Sequence, residues 1–210
     1  MIKVLIADDH PIVREGLKQV IEKASDMKVS GEALNGQEVL DLVYREEWDV
    51  LILDFSMPGK GGLDVIRELR RERPKLPILV LSMHPEAELA PRLLKAGAAG
   101  YLTKESATRE LVAAVRKVFT GGRYVSPALA EKLAMDLAVP SDKQPHDLLS
   151  DREYQVLLRI AAGRTAAEIA TEFSISIKTV RTYRDRIMEK MSMKNDVELT
   201  RYAMDNGLIV

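Results

Sequence analysis

Carboxylates, a hydroxyl and a lysine follow short apolar segments at four places in the first 120 residues. Asp54 ends the branched apolar stretch 50–53, and a loop rich in glycine and proline follows it. The other three segments are followed by Asp8 and Asp9, by Ser82, and by Thr103 with Lys104. If the segments are strands of one parallel sheet, their carboxyl ends open on the same side, where ligands bind in open α/β folds. We therefore expect these side chains to share one pocket.

Such a pocket has the chemistry of phosphoryl transfer. Three carboxylates in one concavity repel one another, and a hard divalent cation with oxygen ligands, above all Mg²⁺, relieves that repulsion. A lysine and a hydroxyl would hold the other oxygens of a bound phosphoryl group, and Asp54 can act as the nucleophile that accepts it. Each residue alone has a plainer interpretation as a helix cap, a turn or a solvated side chain. Their joint position at four strand ends favours the site.

Alternating patterns between residues 1 and 120 predict the elements that would position this pocket. Five short apolar segments are typical of strands: Lys3–Ala7, Lys28–Ala33, Asp49–Asp54, Pro77–Ser82 and Ala99–Leu102. Between them lie helical patterns with apolar residues three and four positions apart. Repeated strand–helix units predict a parallel sheet with right-handed crossovers and helices on both faces. The expected fold class is α/β, a flavodoxin-like sheet with strand order 2-1-3-4-5.

The composition limits the kind of protein. The 210 residues are 46% hydrophobic and 30% charged, and the absence of cysteine excludes disulfides and cysteine-ligated zinc. The three histidines, His10, His84 and His146, lack the spacing of metal ligands. No apolar stretch approaches the roughly 18 residues of a transmembrane helix, and the apolar N-terminus is too short for a secretory signal. We therefore expect a cytoplasmic protein that does not associate with membranes.

A polar segment separates the strand–helix pattern from an all-helical one. Gly121 and Gly122 end the last helix of the first pattern, and a further helix is predicted over 127–137. Residues 139–147 are polar and hold two prolines, which indicates an exposed linker. From residue 148 onward every pattern is helical, so a second, all-α domain is expected.

Capping residues mark the helices of this second domain. Ser150 with Glu153, and Thr165 with Glu168, have the spacing of capping boxes at two helix starts. A tight connection over 174–176 leads into a longer helix that ends near residue 191, and a final helix begins after an asparagine at position 195.

The helix over 176–191 has two faces. Its apolar side holds Val180, Tyr183, Ile187 and Met191. Its outer side holds Lys178, Arg181, Thr182, Asp185 and Arg186. Between residues 178 and 194 six basic residues face two acidic ones, a local excess of +4 in a chain of net charge −1. A short helix, a tight turn and a helix with a basic face is a helix-turn-helix arrangement for the major groove of DNA, although a protein-interaction domain or a solvated face has the same pattern.

Four motifs of the first domain resemble the receiver domain of two-component response regulators: Asp8-Asp9, the stretch 53–62, Leu81-Ser82 and the stretch 100–104. The resemblance covers about residues 1–120. It implies that Asp54 accepts a phosphoryl group from the phosphohistidine of a sensor histidine kinase. It also implies that Asp9, Asp54 and the main-chain oxygen of Ser56 bind Mg²⁺, with Asp8 assisting through water.

The same resemblance assigns roles to three further residues. Lys104 is expected to pair with the phosphoryl group. Ser82 and Tyr101 match the switch hydroxyl and the switch aromatic residue, which rearrange when phosphate is present. One departure is Pro91, which falls inside the fourth helical pattern. Either that helix begins late, near Leu89, or it is kinked.

The C-terminal motifs resemble the LuxR-type helix-turn-helix: the stretches 149–153, 168–170, 175–181 and 198–203, with Gly163. Together the two resemblances identify the chain as a member of the NarL/FixJ subfamily of response regulators. They imply a receiver over 1–120, a linker over 121–147 and a DNA-binding domain over 148–210. The expected partner is double-stranded DNA, and the last helix, over 197–204, is expected to form a homodimer when the receiver is phosphorylated.

Two alternatives belong to other functional classes. One is a phosphatase with an aspartate nucleophile, but such enzymes place a second Asp two residues later, where this chain has Ser56. We therefore expect that the chain is not an enzyme. The other is a regulator whose helical domain binds a protein instead of DNA. Asp185 is unusual on a DNA-facing helix and has two explanations, either a contact with a cytosine amino group or an ion pair that orients Arg181.

Overall fold

The computed structural model describes residues 1–83, 86–138, 144–173 and 175–209. Of the predicted segments, residues 139–143 of the linker and Ser174 in the tight connection lie outside the described residues, as does His84. Contacts divide the chain into two units, Met1–Leu137 and Ala138–Val210. The helix predicted over 127–137 therefore packs with the first unit.

Five parallel strands form the sheet of the first unit: β1 (Ile2–Ala7), β2 (Met27–Ala33), β3 (Val50–Asp54), β4 (Ile78–Ser82) and β5 (Gly100–Thr103). Their order is β2-β1-β3-β4-β5, which confirms the predicted fold. Every residue of β3 and β4 is buried, because helices cover both faces of the central strands. The edge strand β2 alternates buried and exposed residues instead.

Six helices belong to the first unit: α1 (Pro11–Glu22), α2 (Gly36–Arg45), α3 (Gly62–Glu72), α4 (Glu86–Ala96), α5 (Lys104–Phe119) and α6 (Pro127–Ala138). One core cluster joins α1 and α5 to one face of the sheet, with Ile21 and Leu111 among its fully buried members. On α2 and α3 the buried residues recur at helical spacing. Each of these two helices therefore buries one apolar stripe.

Pro91 lies inside α4, which begins at Glu86. The prediction that this helix begins near Leu89 is therefore wrong. Proline fixes a backbone angle that a helix accepts, and its cost is the missing N–H that would bond four residues back. Leu89 and Leu93 are almost completely buried, so packing of this face holds the helix across the proline.

The chain after α5 returns to the open edge of the sheet. Gly121 has a φ of 85°, a left-handed conformation that glycine adopts without strain. Tyr124 then forms a bridge with Gly100 on β5. Because a Cβ on Gly100 would lie 2.8 Å from the Tyr124 carbonyl oxygen, the glycine permits this close approach.

The described residues of the second unit form a 3-10 helix (Pro145–Leu148) and four α-helices: α7 (Asp151–Ala161), α8 (Ala166–Glu172), α9 (Ile177–Met191) and α10 (Asp196–Asp205). Both predicted capping boxes are present, at the starts of α7 and α8. α7 packs against α9 and α10, and α8 packs against α9. In the described parts of the chain, no helix combines the length and apolar character needed to cross a membrane.

Gly36 gives a test of the packing beneath the loop that follows β3. A Cβ at this position would lie 2.4 Å from the Lys60 carbonyl oxygen and 2.8 Å from a methyl group of Val65. We expect Gly36→Ala to lower the free energy of unfolding by about 1–3 kcal/mol, because backbone must move to admit the methyl group. Urea unfolding, followed by fluorescence of the single tryptophan, Trp48, measures the change.

Gly16→Ala is the matched control for this experiment. Apart from the neighbouring backbone of α1 itself, no heavy atom of the described residues lies within 4 Å of a Cβ at Gly16. We expect this variant to be more stable by about 0.5–1 kcal/mol, since alanine favours helix over glycine. Equal effects of the two substitutions would contradict the close packing at Gly36.

Candidate phosphoryl-transfer site and nucleic-acid interface

The acidic side chains gather at the carboxyl ends of β1 and β3. These strands are neighbours, with Ala7 opposite Leu53, so the residues that follow them come together. Asp8 and Asp54 are almost completely buried, and the Asp9 side chain is 30% exposed. The strand pairing that follows from the fold class thus creates the predicted pocket.

Lys104 connects the two buried carboxylates. Its Nζ donates to Asp8 Oδ2 at 2.7 Å and to Asp54 Oδ2 at 2.9 Å. The lysine is the first residue of α5, directly after β5, and the Thr103 side chain caps that helix by accepting a hydrogen bond from the Ser106 amide. The sharp change from strand to helix at this capped point directs the ammonium group across the sheet edge.

Burial and charge together determine the ionisation of this pocket. Burial raises the pKa of Asp54, and the neighbouring Asp8 charge adds to the rise, while Lys104 and the Ser56 amide oppose it only in part. Burial disfavours the charged form of Lys104, but its hydrogen bond to Asp8 and the charge of Asp54 outweigh this effect and raise the pKa of the ammonium. Three carboxylates, those of Asp8, Asp9 and Asp54, thus share this region with the ammonium of Lys104.

The pocket offers ligand oxygens for a cation. Ligand atoms of Asp8, Asp9, His10 and Asp54 all lie within 4.8 Å of one another. Asp9 Oδ1 is buried and, among the described residues, accepts no hydrogen bond of suitable geometry, although His10 Nδ1 is 2.9 Å away. Closely spaced carboxylate oxygens, one of them without a donor, suit a hard divalent cation. These residues could bind a metal ion.

The remaining residues predicted for this site lie on the loop after β3 and on the neighbouring strands β4 and β5. The Ser56 amide donates to Asp54 Oδ1 at 3.1 Å. Ser82 ends β4, is fully buried, and lies opposite Thr103 in the strand pairing. Tyr101 is on β5, two residues before that threonine, and only 1% of its surface is exposed. Ser56 and Ser82 thus adjoin Asp54, which pairs with the residue before Ser82 on β4, whereas Tyr101 lies two residues before the end of β5.

Two residues near the pocket were not predicted as part of it: His10, whose spacing does not indicate a metal ligand, and Arg14. The His10 amide donates to Asp8 Oδ1 at 2.8 Å, and its ring lies beside both aspartates. Arg14 donates from Nη1 to the Asp8 carbonyl oxygen at 2.8 Å, and its Nε pairs with Glu32. Adjacency to Asp9 was the available signal for His10. Arg14 had none, because its contacts depend on the distance between α1 and β2.

A second group of predicted residues lies on α9. Its buried residues are Val180, Ile187 and Met191. All five residues predicted to face outward are exposed: Lys178, Arg181, Thr182, Asp185 and Arg186. Ser176 caps the helix by accepting a hydrogen bond from the Thr179 amide. The helix therefore presents a charged, mostly basic face to solvent, as its periodicity predicts.

Asp185 has a different neighbour from the one that sequence spacing suggests. Its carboxylate is 3.8 Å from Arg184, and among the described residues it forms no ion pair with Arg181. Arg184 itself pairs with Asp196 at 2.7 Å. The explanation in which Asp185 orients Arg181 through an ion pair is thus wrong in this conformation, because the carboxylate lies beside the preceding residue.

Glu153 anchors α9 to α7. Its Oε2 accepts hydrogen bonds from Lys190 Nζ at 2.6 Å and from the Ser150 amide at 2.7 Å. Only 3% of its side chain is exposed. Burial raises the pKa of Glu153, but the hydrogen bonds from Lys190 and Ser150 outweigh burial and lower it overall. One carboxylate thus completes a helix cap and also holds the outward-facing helix.

This anchor predicts a pH-dependent contribution to stability. Glu153→Gln keeps a capping side chain but loses the charge, so we expect the free energy of unfolding to fall by about 1–2 kcal/mol near neutral pH. The pKa of the Glu153 carboxyl is lower in the folded state than in the unfolded chain. The contribution of its charge to the free energy of unfolding is therefore fully present above the unfolded pKa of about 4.3, and it is lost as the pH falls through the folded pKa. Urea titrations of both proteins across this range measure the difference.

Glu168→Gln is the control for this series. Glu168 closes the capping box of α8, but its side chain is 51% exposed. We expect a smaller loss, because solvent screens its charge. A Glu153→Gln difference that stays constant as the pH falls would contradict a charge-based anchor.

Comparison with known proteins extends over both units. Residues 4–116 match the response regulator receiver domain, and residues 147–203 match the bacterial regulatory proteins of the luxR family. The chain is 41% identical to the response regulator GacA of Pseudomonas aeruginosa, with 100% of the chain and 98% of that protein covered. It is 39% identical to the response regulator UvrY of Escherichia coli, with 99% and 96% covered.

A solved structure resembles the whole chain as well. It is RcsB from Salmonella enterica serovar Typhimurium, bound to a promoter in the presence of the phosphomimetic BeF3-, with 28% identity and a TM-score of 0.68. The alignment covers 96% of this chain and 97% of that one. The chain therefore belongs to the NarL/FixJ subfamily of response regulators, transcription regulators that join a receiver domain to a DNA-binding luxR-type helix-turn-helix domain.

Proposed function

We propose that transfer of a phosphoryl group from a sensor histidine kinase to Asp54 controls DNA binding by the second unit. The observation that carries this proposal is the bridge from Lys104 Nζ to Asp8 and Asp54. Lys104 is a part-buried cation in contact with Asp54, so its ammonium can pair with the oxygens of a phosphoryl group attached to that carboxylate. In Ser82, a buried hydroxyl ends the neighbouring strand.

The chemistry follows from the positions of these groups. One Asp54 oxygen attacks the phosphorus of the kinase's phosphohistidine, so a P–O bond forms while the P–N bond breaks and its electron pair returns to the imidazole. Lys104 exchanges its contact with Asp54 for the new phosphoryl oxygens. Ser82 and Tyr101 act as the switch residues that respond to the phosphoryl group.

Mg²⁺ is the cation that suits this pocket. Asp9, Asp54 and the main-chain oxygen of Ser56 would hold it, and Asp8 would assist through water. When bound, Mg²⁺ offsets the negative charge of these carboxylates and stabilises the charge that develops on the transferred oxygens. The Asp9 oxygen without a well-aligned donor supports this assignment.

We further propose that the chain is not an enzyme with its own external substrate. Its receiver assists the phosphorylation and dephosphorylation of Asp54 only. Ser56 stands where phosphatases with an aspartate nucleophile have their second aspartate, and it donates its backbone amide to Asp54. A serine in that place supplies no carboxyl group for acid–base catalysis.

The basic face of α9 is proposed to enter the major groove of double-stranded DNA, with Lys178, Arg181, Thr182, Asp185 and Arg186 as contact residues. These five side chains are exposed, whereas the opposite face of the helix is buried. Two exposed apolar side chains on α10, Val197 and Met204, suit contact with a second copy, so a homodimer is proposed for the phosphorylated protein. The site of action is then the cytoplasm, where bacterial DNA lies.

Asp54→Asn tests the phosphoacceptor. We expect no incorporation of hydroxylamine-labile phosphate from a small phosphodonor with Mg²⁺, because the nucleophile is lost. The fold should be at least as stable, since burial raises the pKa of Asp54 and a neutral amide relieves this cost. Asp41→Asn, an exposed carboxylate on α2, is the control and should be labelled normally. Chelation of Mg²⁺ should abolish labelling of the unsubstituted protein, and labelling that persists in Asp54→Asn would refute the assignment.

Asp185→Ala tests sequence reading by α9. The Asp185 side chain is 75% exposed, so removing its charge should tighten binding to random DNA. If the carboxylate accepts from a cytosine, discrimination against one base pair should also fall by about 1–3 kcal/mol. Glu189→Ala removes an exposed charge one turn later and should tighten binding without changing the sequence preference. Titrations against single-base variants of a bound site decide the matter, and an unchanged preference in Asp185→Ala would exclude the base contact.

A further inference from the structure

The first turn of α6 is capped in an unusual way. Ser126 occupies the N-cap position: its Oγ accepts from the Leu129 amide at 3.1 Å and its carbonyl from the Ala130 amide at 3.0 Å. In a capping box, a Glu or Gln at the third helical position accepts from the amide of the N-cap residue. That position in α6 is Leu129, which is only 3% exposed and has no side-chain acceptor.

A residue from another helix takes the missing place. Glu86 Oε1 accepts a hydrogen bond from the Ser126 amide at 2.8 Å. Glu86 is the first residue of α4, 40 positions earlier in the chain. In α7 and α8, by contrast, the glutamate that completes the box belongs to the same helix. The capping of α6 is therefore completed by α4.

The segment 123–126, which leads into α6, is also fixed to β5. The Tyr101 amide donates to the Tyr124 carbonyl oxygen at 2.9 Å, and the Tyr124 amide donates to the Ala99 carbonyl oxygen at 3.0 Å. The Tyr124 hydroxyl donates to Glu110 on α5 at 2.9 Å. This segment thus pairs with the edge of β5, the strand that carries Tyr101, and contacts α5 through Glu110.

We propose that Glu86 is a positioning residue that couples α4 to the first turn of α6. This inference rests on the proposed function, in which phosphorylation of Asp54 rearranges the region around Ser82 and Tyr101. A movement of α4 either carries Ser126 with it or leaves the Ser126 amide without its acceptor, and both outcomes change the start of α6. Because α6 is the last helix of the first unit, this cap lies where the receiver continues toward the second unit.

The test is amide hydrogen exchange of the full-length protein, with and without Mg²⁺ and BeF3-. In the unsubstituted protein we expect BeF3- to change exchange at Ser126, Leu129 and Ala130. Glu86→Ala should accelerate exchange of these amides by about three- to tenfold without BeF3-, the size of a lost cap, and should remove their response to BeF3-. Glu86→Gln retains an oxygen acceptor and should restore both protection and response.

Glu105→Ala is the matched control, since Glu105 is an exposed glutamate in the first turn of α5. It should leave α6 unchanged. Unaltered exchange at α6 in Glu86→Ala, or a failure of BeF3- to alter α6 in the unsubstituted protein, would overturn the coupling.

Bound BeF3-, detected by its fluorine resonance, separates the two proposals. If BeF3- binds and α6 does not respond, the role of Glu86 fails while the role of Asp54 stands. If no BeF3- binds, the proposed acceptor site fails, and the coupling that depends on it fails as well.

Discussion

The ion bridge from Lys104 to Asp8 and Asp54 is the interaction on which the rest of the structure depends. Two buried carboxylates at adjacent strand ends would cost several kcal/mol if left unpaired. Lys104, at the start of the helix after β5, reaches both carboxylates because the strand order brings β1, β3, β4 and β5 to one edge. The fold and the chemistry of the site therefore require the same strand order. A phosphoryl group that arrives at Asp54 competes for the same ammonium.

A site arranged in this way can transmit a change of charge because its groups are attached to different elements. Lys104 begins α5, Ser82 ends β4 and Tyr101 belongs to β5. The segment that follows α5 returns to β5 through Tyr124 and to α4 through Glu86. Rearrangement at the strand ends thus acts on backbone hydrogen bonds that hold the next helix. Packed elements of this kind change position together.

The helix caps of α7 and α8 in the second unit use residues that are close in the sequence. The capping boxes of α7 and α8 are complete within each helix, so these helices need no distant residue to begin. Glu153 adds a long-range function, because the same carboxylate pairs with Lys190 of α9. The charged face of α9 is consequently exposed on a helix whose apolar face and C-terminal half are both fixed to α7. That rigidity suits a surface that reads DNA by the positions of its side chains.

The sequence by itself determined the elements and the local geometry. Strand limits agree with the prediction to within one residue, since buried strands are apolar and end at polar residues. The helix starts at Ser150 and Thr165 follow from spacing of three residues, and the faces of α9 follow from the helical period. Even the convergence of Asp8, Asp54 and Lys104 was predictable, because strand order alone brings these strand ends together.

Tertiary structure decided the contacts that join residues far apart in the chain. The support of Asp8 by Arg14, the neighbour of Asp185 and the cap that Glu86 supplies to Ser126 depend on distances between packed elements and on side-chain rotamers. The spacing of apolar residues along the sequence does not predict such distances. Pro91 shows the same limit for backbone: local preference disfavours a proline within α4, but burial of the surrounding leucines outweighs the lost hydrogen bond. Local rules thus fix what each segment can form, and packing selects which distant groups meet.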